Sequence, residues 1–143
     1  MDNILEVCTD FPEMTLRPGE CLLEEGTKSG LLFVLIEGEF EIVKDGFQIN
    51  KVSEPGSIFG EISVLLDIPH LASVMALSVS RLHVINNPKG FLRSNIDIPI
   101  LLSSVLAQRL NGVTSYLFEL KNQLGDDFDQ LVVVDQVLET LVD

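Results

Sequence analysis

The sequence predicts a mainly β fold with added helices: an antiparallel β-roll, double-sheeted and jelly-roll-like, with flanking short helices and a long C-terminal helix. Three observations predict it. From Phe11 to about Ile85 the chain consists of short apolar or alternating runs punctuated by glycine, as expected of many short strands. The pairs Asp45-Gly46 and Pro55-Gly56 fall between such runs, and Asp-Gly accepts the positive φ that primed hairpin turns need. From Asp97 onward only Gly112 and Gly125 remain, and apolar residues recur at helical spacing.

Taken in order, Cys21-Leu22-Leu23 runs up to Gly26, and Leu31 to Ile36 runs up to Gly38. Phe40, Ile42 and Val43 lead to Asp45-Gly46, then Phe47 to Val52 leads to Pro55-Gly56, which gives a roll of about eight strands. Beyond it a strand ends at Phe59 and Gly60 turns the chain. Glu61 to Leu66 make a short helix, and Pro69 returns the chain to a strand at about Leu71.

In the long helix, about 98–124, Leu106, Leu110, Val113, Leu117, Leu120 and Leu124 advance by 4, 3, 4, 3 and 4 residues. That is a heptad stripe, the pattern of a helix packed along a partner helix. It reads as a dimer seam. The competing reading is one long helix covering the roll, with this stripe and a second (Leu101, Val105, Tyr116) buried inside a monomer. Leu131, Val134, Leu138 and Leu141 then share one face of a tail helix, behind Asp126, Asp127 and Asp129, acids that suit a helix N-terminus. The domain division expected is therefore 1–124, including the long helix, and 125–143.

Composition narrows the function classes. A length of 143 residues with 46% hydrophobic content fits one core. Acids outnumber bases 22 to 9, and a net charge of −13 makes nucleic acid a poor partner. No run of ~18 apolar residues is present to span a membrane, and Met1 to Thr9 lack a secretory pattern. Cys8 and Cys21 make neither a disulfide framework nor a metal spacing, so they read as reduced thiols in a cytoplasmic protein. His70 and His83, the two histidines, lack the further ligands a metal site would want. A haem would have to use His70 or Cys8, an iron–sulfur cluster would need about four cysteines, and no nucleophile–base pattern points to catalysis. No catalytic, metal or cofactor residue is assigned.

The stretch from Pro55 to Val74 carries the chemistry. A helix opening directly behind a glycine turn presents free backbone N–H groups, an anion site. Glu61, one residue past Gly60, can accept hydrogen bonds from a sugar hydroxyl but would repel a phosphate beside it. Together they suit a ligand that holds both phosphate and ribose.

This segment resembles the phosphate-binding cassette of cyclic nucleotide-binding domains, the bacterial catabolite-activator-like sensor family. Leu16-Arg17-Pro18-Gly19-Glu20 with Glu25-Gly26 is similar to the first strand pair, and Leu32 to Gly38 to the central strand and turn. The long helix resembles the one through which bacterial members dimerise. The resemblance covers roughly residues 11 to 124. It implies that Gly60 and Glu61 contact the ribose and cyclic phosphate edge, and that the amides of Ile62 and Ser63 help hold the phosphate. It further implies an arginine nine residues after the glutamate, then small residues. Here His70 stands there, followed by Leu71, Ala72 and Ser73.

Arginine is always charged and offers a planar fork, whereas histidine near pH 7 is mostly neutral. Three readings of His70 stay open: a cationic phosphate contact, a mark of a changed ligand, or an ordinary turn residue in a domain that has lost its ligand. Thr114 and Ser115 are candidates for a base contact, with no register to assign them. The ligand set expected is Gly60, Glu61, Ile62, Ser63, His70, Leu71 and Ser73. The resemblance implies a cyclic nucleotide such as cAMP or cGMP, a homodimer through the long helix, an unidentified protein partner and no enzymatic activity. The bacterial relatives' helix-turn-helix has no counterpart in the 19 residues after Leu124, which carry six acids and no base. A stand-alone sensor is expected, or the same fold as a ligand-free dimeric scaffold.

Overall fold

The computed structural model describes residues 4–124 and 128–141, in two compact units, 1–97 and 98–143. The first holds eight strands: β1 (Glu13–Leu16), β2 (Cys21–Leu23), β3 (Leu32–Glu37), β4 (Phe40–Lys44), β5 (Phe47–Val52), β6 (Ile58–Phe59), β7 (Ser73–Ala76) and β8 (Ser80–Ile85). Every strand pair is antiparallel, and the strands form two four-stranded sheets ordered β1-β8-β3-β6 and β2-β7-β4-β5. The expected roll is the observed one. Short helices α1 (Ile4–Val7), α2 (Glu61–Leu66) and α3 (Pro88–Ser94) flank it.

Local chemistry explains the turns. β4 and β5 pair through Lys44 and Phe47 around Asp45 and Gly46, both at positive φ (50° and 83°). That is the primed turn the Asp-Gly pair encodes. Pro88 opens α3, where its missing N–H costs nothing, and the Asn87 side chain accepts from the Gly90 N–H at 3.2 Å.

The core lies between the sheets. Leu16, Phe33, Leu35, Phe59 and Leu82 enter it from one sheet, Leu23, Phe40, Val74 and Ala76 from the other. The rings of Phe40 and Phe59 meet across the gap with centroids 5.2 Å apart. On the outside of the first sheet, Arg81 of β8 reaches Glu13 on β1 and Glu37 on β3, each at 2.8 Å. Cys8 is buried, and its thiol is pushed up to about 11 by burial; Cys21 is exposed, and both are free thiols.

One boundary differs from expectation. β7 begins at Ser73, not at about Leu71. The His70 backbone is already engaged, donating to Thr27 O (2.8 Å) and accepting from Gly26 N (2.9 Å). Leu71 O accepts from Lys44 Nζ at 2.7 Å. The chain therefore joins the sheet only where Ser73 meets Val43 of β4.

The second unit is a helical hairpin of α4 (Asp97–Leu124) and α5 (Phe128–Leu141). Lys121 of α4 is ion-paired with Asp135 of α5. A groove between the helices is lined by Thr114, Phe118 and Lys121 on one side and Asp135, Leu138 and Glu139 on the other. Residues later on α5 thus lie beside residues earlier on α4, so the two run antiparallel. The expected acids Asp126 and Asp127 and residues 1–3 of the N-terminal reading lie outside the described residues. Among the described residues no single helix is long and apolar enough to cross a membrane.

Candidate functional site

The site is built on the chain between β6 and β7. After Phe59, Gly60 takes φ +93°, and a Cβ there would stand 2.6 Å from the Leu31 carbonyl oxygen. Only glycine allows both the left-handed turn and this close backbone approach. α2 follows at once, with Val64 N donating to Gly60 O at 3.1 Å. It ends at Asp67 (φ 54°), whose N–H is bonded to Ser63 O. The Ser63 hydroxyl donates to Ile68 O at 2.5 Å, so it closes the α2 turn and its proton is committed there.

Glu61 is only 6% exposed, the one carboxylate among the buried polar groups of the described residues. Burying a carboxylate is costly unless hydrogen bonds compensate it, so such a group is kept where acceptors are needed. Ile62 and Leu71 are exposed. Ser73 Oγ accepts from Glu25 N at 2.9 Å.

His70 is also only 6% exposed. Its Nε2 lies 3.1 Å from Ser29 Oγ, and its backbone is paired to Gly26 and Thr27 as above. Burial lowers its pKa below the usual histidine value, so at neutral pH the ring is uncharged. This weighs against His70 as a cationic phosphate contact in the free protein.

The segment from Glu24 to Leu31 is the shared wall of the site. It meets Gly60 through Leu31, His70 through Ser29, and Asp67 through Lys28 Nζ at 3.2 Å. Sequence reasoning missed this wall, although Gly26 was read as a turn. Both nearby cations are committed. Lys28 pairs with Asp67, while Lys44 holds Leu71 O and lies 3.7 Å from Glu25. The Asp45 N–H, with Lys44 beside it, holds the Glu25 carboxyl below the usual value. Among the described residues no group of three His, Cys, Asp or Glu could hold a metal ion.

The His70 environment makes a stability prediction. Its folded pKa lies below its unfolded value of 6.5, so protonation favours the unfolded chain. The contribution is fully present above pH 6.5 and is lost as the pH falls below it, towards the depressed folded pKa. Urea unfolding at pH 7.5 and pH 5 should therefore show wild type losing more stability, or gaining less, than His70→Gln. Equal changes in the two proteins would mean the ring titrates freely.

Comparison with known proteins fits this geometry. The family model for the cyclic nucleotide-binding domain matches residues 13–92. An ABC transporter ATP-binding protein of Mycobacterium tuberculosis is 41% identical over 88 residues, covering 54% of this chain and 27% of that protein. A cGMP-dependent protein kinase of Caenorhabditis elegans is 32% identical over 85 residues, covering 59% of this chain and 11% of the kinase. The chain thus matches about a quarter or less of the length of these relatives. The crystal structure of Thermus thermophilus catabolite activator protein has the same fold (TM-score 0.70, 20% identity), covering 82% of this chain and 58% of that one.

Proposed function

Since this chain belongs to the cyclic nucleotide-binding domain family, we propose that it is a regulatory module in the cytoplasm. It binds a cyclic nucleotide, cAMP or cGMP, along Gly60 to Ser73 and signals through α4 to a protein partner. The observation that carries the reading is the Gly60–Glu61 pair. A left-handed glycine is pressed against the Leu31 carbonyl, and directly behind it a carboxylate is held almost wholly out of water. A buried acceptor at that place suits ribose hydroxyls. In this reading Gly60, Glu61 and the amides of Ile62 and Ser63 hold the sugar and phosphate edge, and His70, Leu71 and Ser73 close the far side. No step in it is catalytic. α4 transmits as a homodimer through its heptad stripe.

The engagement of His70 with Ser29 favours a second reading, the same fold as a dimeric scaffold that binds no nucleotide. Thermal denaturation with a ligand panel separates the two. A nucleotide at a hundred times its Kd should add ~2.7 kcal/mol, a rise of several degrees in Tm for a domain of this size. A shift with cAMP or cGMP at millimolar concentration supports the sensor. A shift with adenosine or guanosine alone identifies a ligand without phosphate. No shift with any of the four leaves the scaffold.

A further inference from the structure

A cyclic phosphodiester is an anion at neutral pH, and the chain that would receive it already carries a charge of −13. His70 offers no cation against it, because burial lowers the ring's pKa. Two lysines stand near the cassette, and their own contacts set them apart. Lys44 Nζ donates to Leu71 O at 2.7 Å and lies 3.7 Å from the Glu25 carboxylate, which also accepts from the Asp45 N–H at 3.1 Å. Moving Lys44 would untie the far end of the cassette from the β4–β5 turn. Lys28 is held only by Asp67, whose Oδ1 is 3.2 Å from its Nζ. The two side chains are 51% and 93% exposed, and an ion pair so open to water contributes little. Exchanging that carboxylate for another anion therefore costs little. Lys28 also lies between the two residues that fix His70. Thr27 O accepts from His70 N at 2.8 Å, and Ser29 Oγ is 3.1 Å from His70 Nε2. Its flexible four-carbon stem thus starts beside position 70, where the family resemblance places an arginine.

We propose that Lys28, and not His70, supplies the positive charge for the ligand's phosphate, and that Asp67 holds this lysine in the free protein. The proposal rests on the reading of Gly60 to Ser73 as a cyclic nucleotide site and names the cation that reading lacks. The charge comes from the wall of residues 24–31, across from the cassette, so the buried histidine can stay neutral. Asp67 is suited to be the anion that gives way. Its backbone ends α2 at φ 54°, with its N–H on Ser63 O, while its carboxylate stands in water. The turn is therefore kept by the main chain, and the side chain is free to lose its partner. Ammonium is a point charge without arginine's planar fork, so Lys28 selects for negative charge more than for the geometry of the phosphate.

Calorimetry of the full chain with cAMP tests it on four proteins: wild type, Lys28→Gln, Asp67→Asn and the double variant. Lys28→Gln should weaken cAMP binding about tenfold, the loss of one charge-assisted contact. Asp67→Asn should tighten it several-fold, because the competing carboxylate is gone and asparagine accepts the left-handed backbone. With Lys28→Gln already in place, Asp67→Asn should change little, since there is no lysine left to release. Melting temperatures of all four should stay near wild type, as expected for an exposed pair. Unchanged binding in Lys28→Gln overturns the proposal. Weaker binding in Asp67→Asn overturns it too, by making the ion pair a tie that the folded site needs. Equal tightening by Asp67→Asn with and without Lys28 overturns it as well, because Asp67 then merely repels the anion. A wild type that binds no cAMP removes the nucleotide reading and this proposal with it, whereas cAMP binding indifferent to Lys28 removes this proposal alone.

Discussion

Gly60→Ala should cost about 3 kcal/mol of stability and abolish nucleotide binding, while Gly46→Ala should cost about 1 kcal/mol and leave binding intact. Both glycines have positive φ, 93° and 83°, so both variants meet the left-handed penalty of ~1–2 kcal/mol for an L residue. They differ in what the new methyl meets. At Gly46 nothing lies within 4 Å, whereas at Gly60 the Leu31 carbonyl oxygen stands at 2.6 Å. Leu31 cannot retreat easily, because the next residue, Leu32, is already paired with Ile85 in the first sheet. The cassette must move instead, and Glu61 with it. Urea midpoints with constant m-values measure the stability difference, and calorimetry of the still-folded fraction measures binding. Equal costs at the two glycines would show that the close approach to Leu31 is not a structural constraint. Full binding by Gly60→Ala would remove the cassette from the site.

What the sequence reveals here is what is local. Alternating strands, the Asp45-Gly46 turn and α2 at Glu61–Leu66 each depend on residues within a few positions, and each is found where expected. The heptad stripe is equally legible as a periodicity. Its occupant is not, because an apolar stripe fits a chain's own α5 as well as a second copy, and period alone does not choose. The Ser29–His70 contact joins residues 41 apart, and neither end has a marker. A histidine aligned with a phosphate arginine looks exposed to ligand in the sequence, while in the fold its ring is turned against the wall formed by residues 24–31. The late start of β7 has the same cause, since His70 spends its backbone on that wall first.

His70→Arg should lower the Tm of the free protein and tighten cAMP binding about tenfold, so that the ligand-induced shift grows with the affinity. The stability loss comes from removing the ring bonded to Ser29 and from placing a charge that is never neutral at a position only 6% exposed. The nearby carboxylates Asp67 and Glu25 are already paired with Lys28 and Lys44, two cations that add to the repulsion rather than offset it. The affinity gain comes from the phosphate, which supplies the missing counter-charge. A charge-assisted contact exceeds a neutral one by about 1–2 kcal/mol, and 1.4 kcal/mol is tenfold in Kd. Ser29→Ala is the control, because it removes the same hydrogen bond without adding charge; its Tm should fall and its affinity stay near wild type. Calorimetry and melting with and without cAMP give all four numbers. If His70→Arg loses stability but gains no affinity, position 70 belongs to the wall and not to the phosphate, and a cyclic nucleotide here would rest on Gly60, Glu61 and backbone amides. If Ser29→Ala gains affinity as well, the Ser29–His70 contact is itself what holds the pocket closed to ligand, and the neutral histidine is a latch on the site in place of the contact the arginine would make.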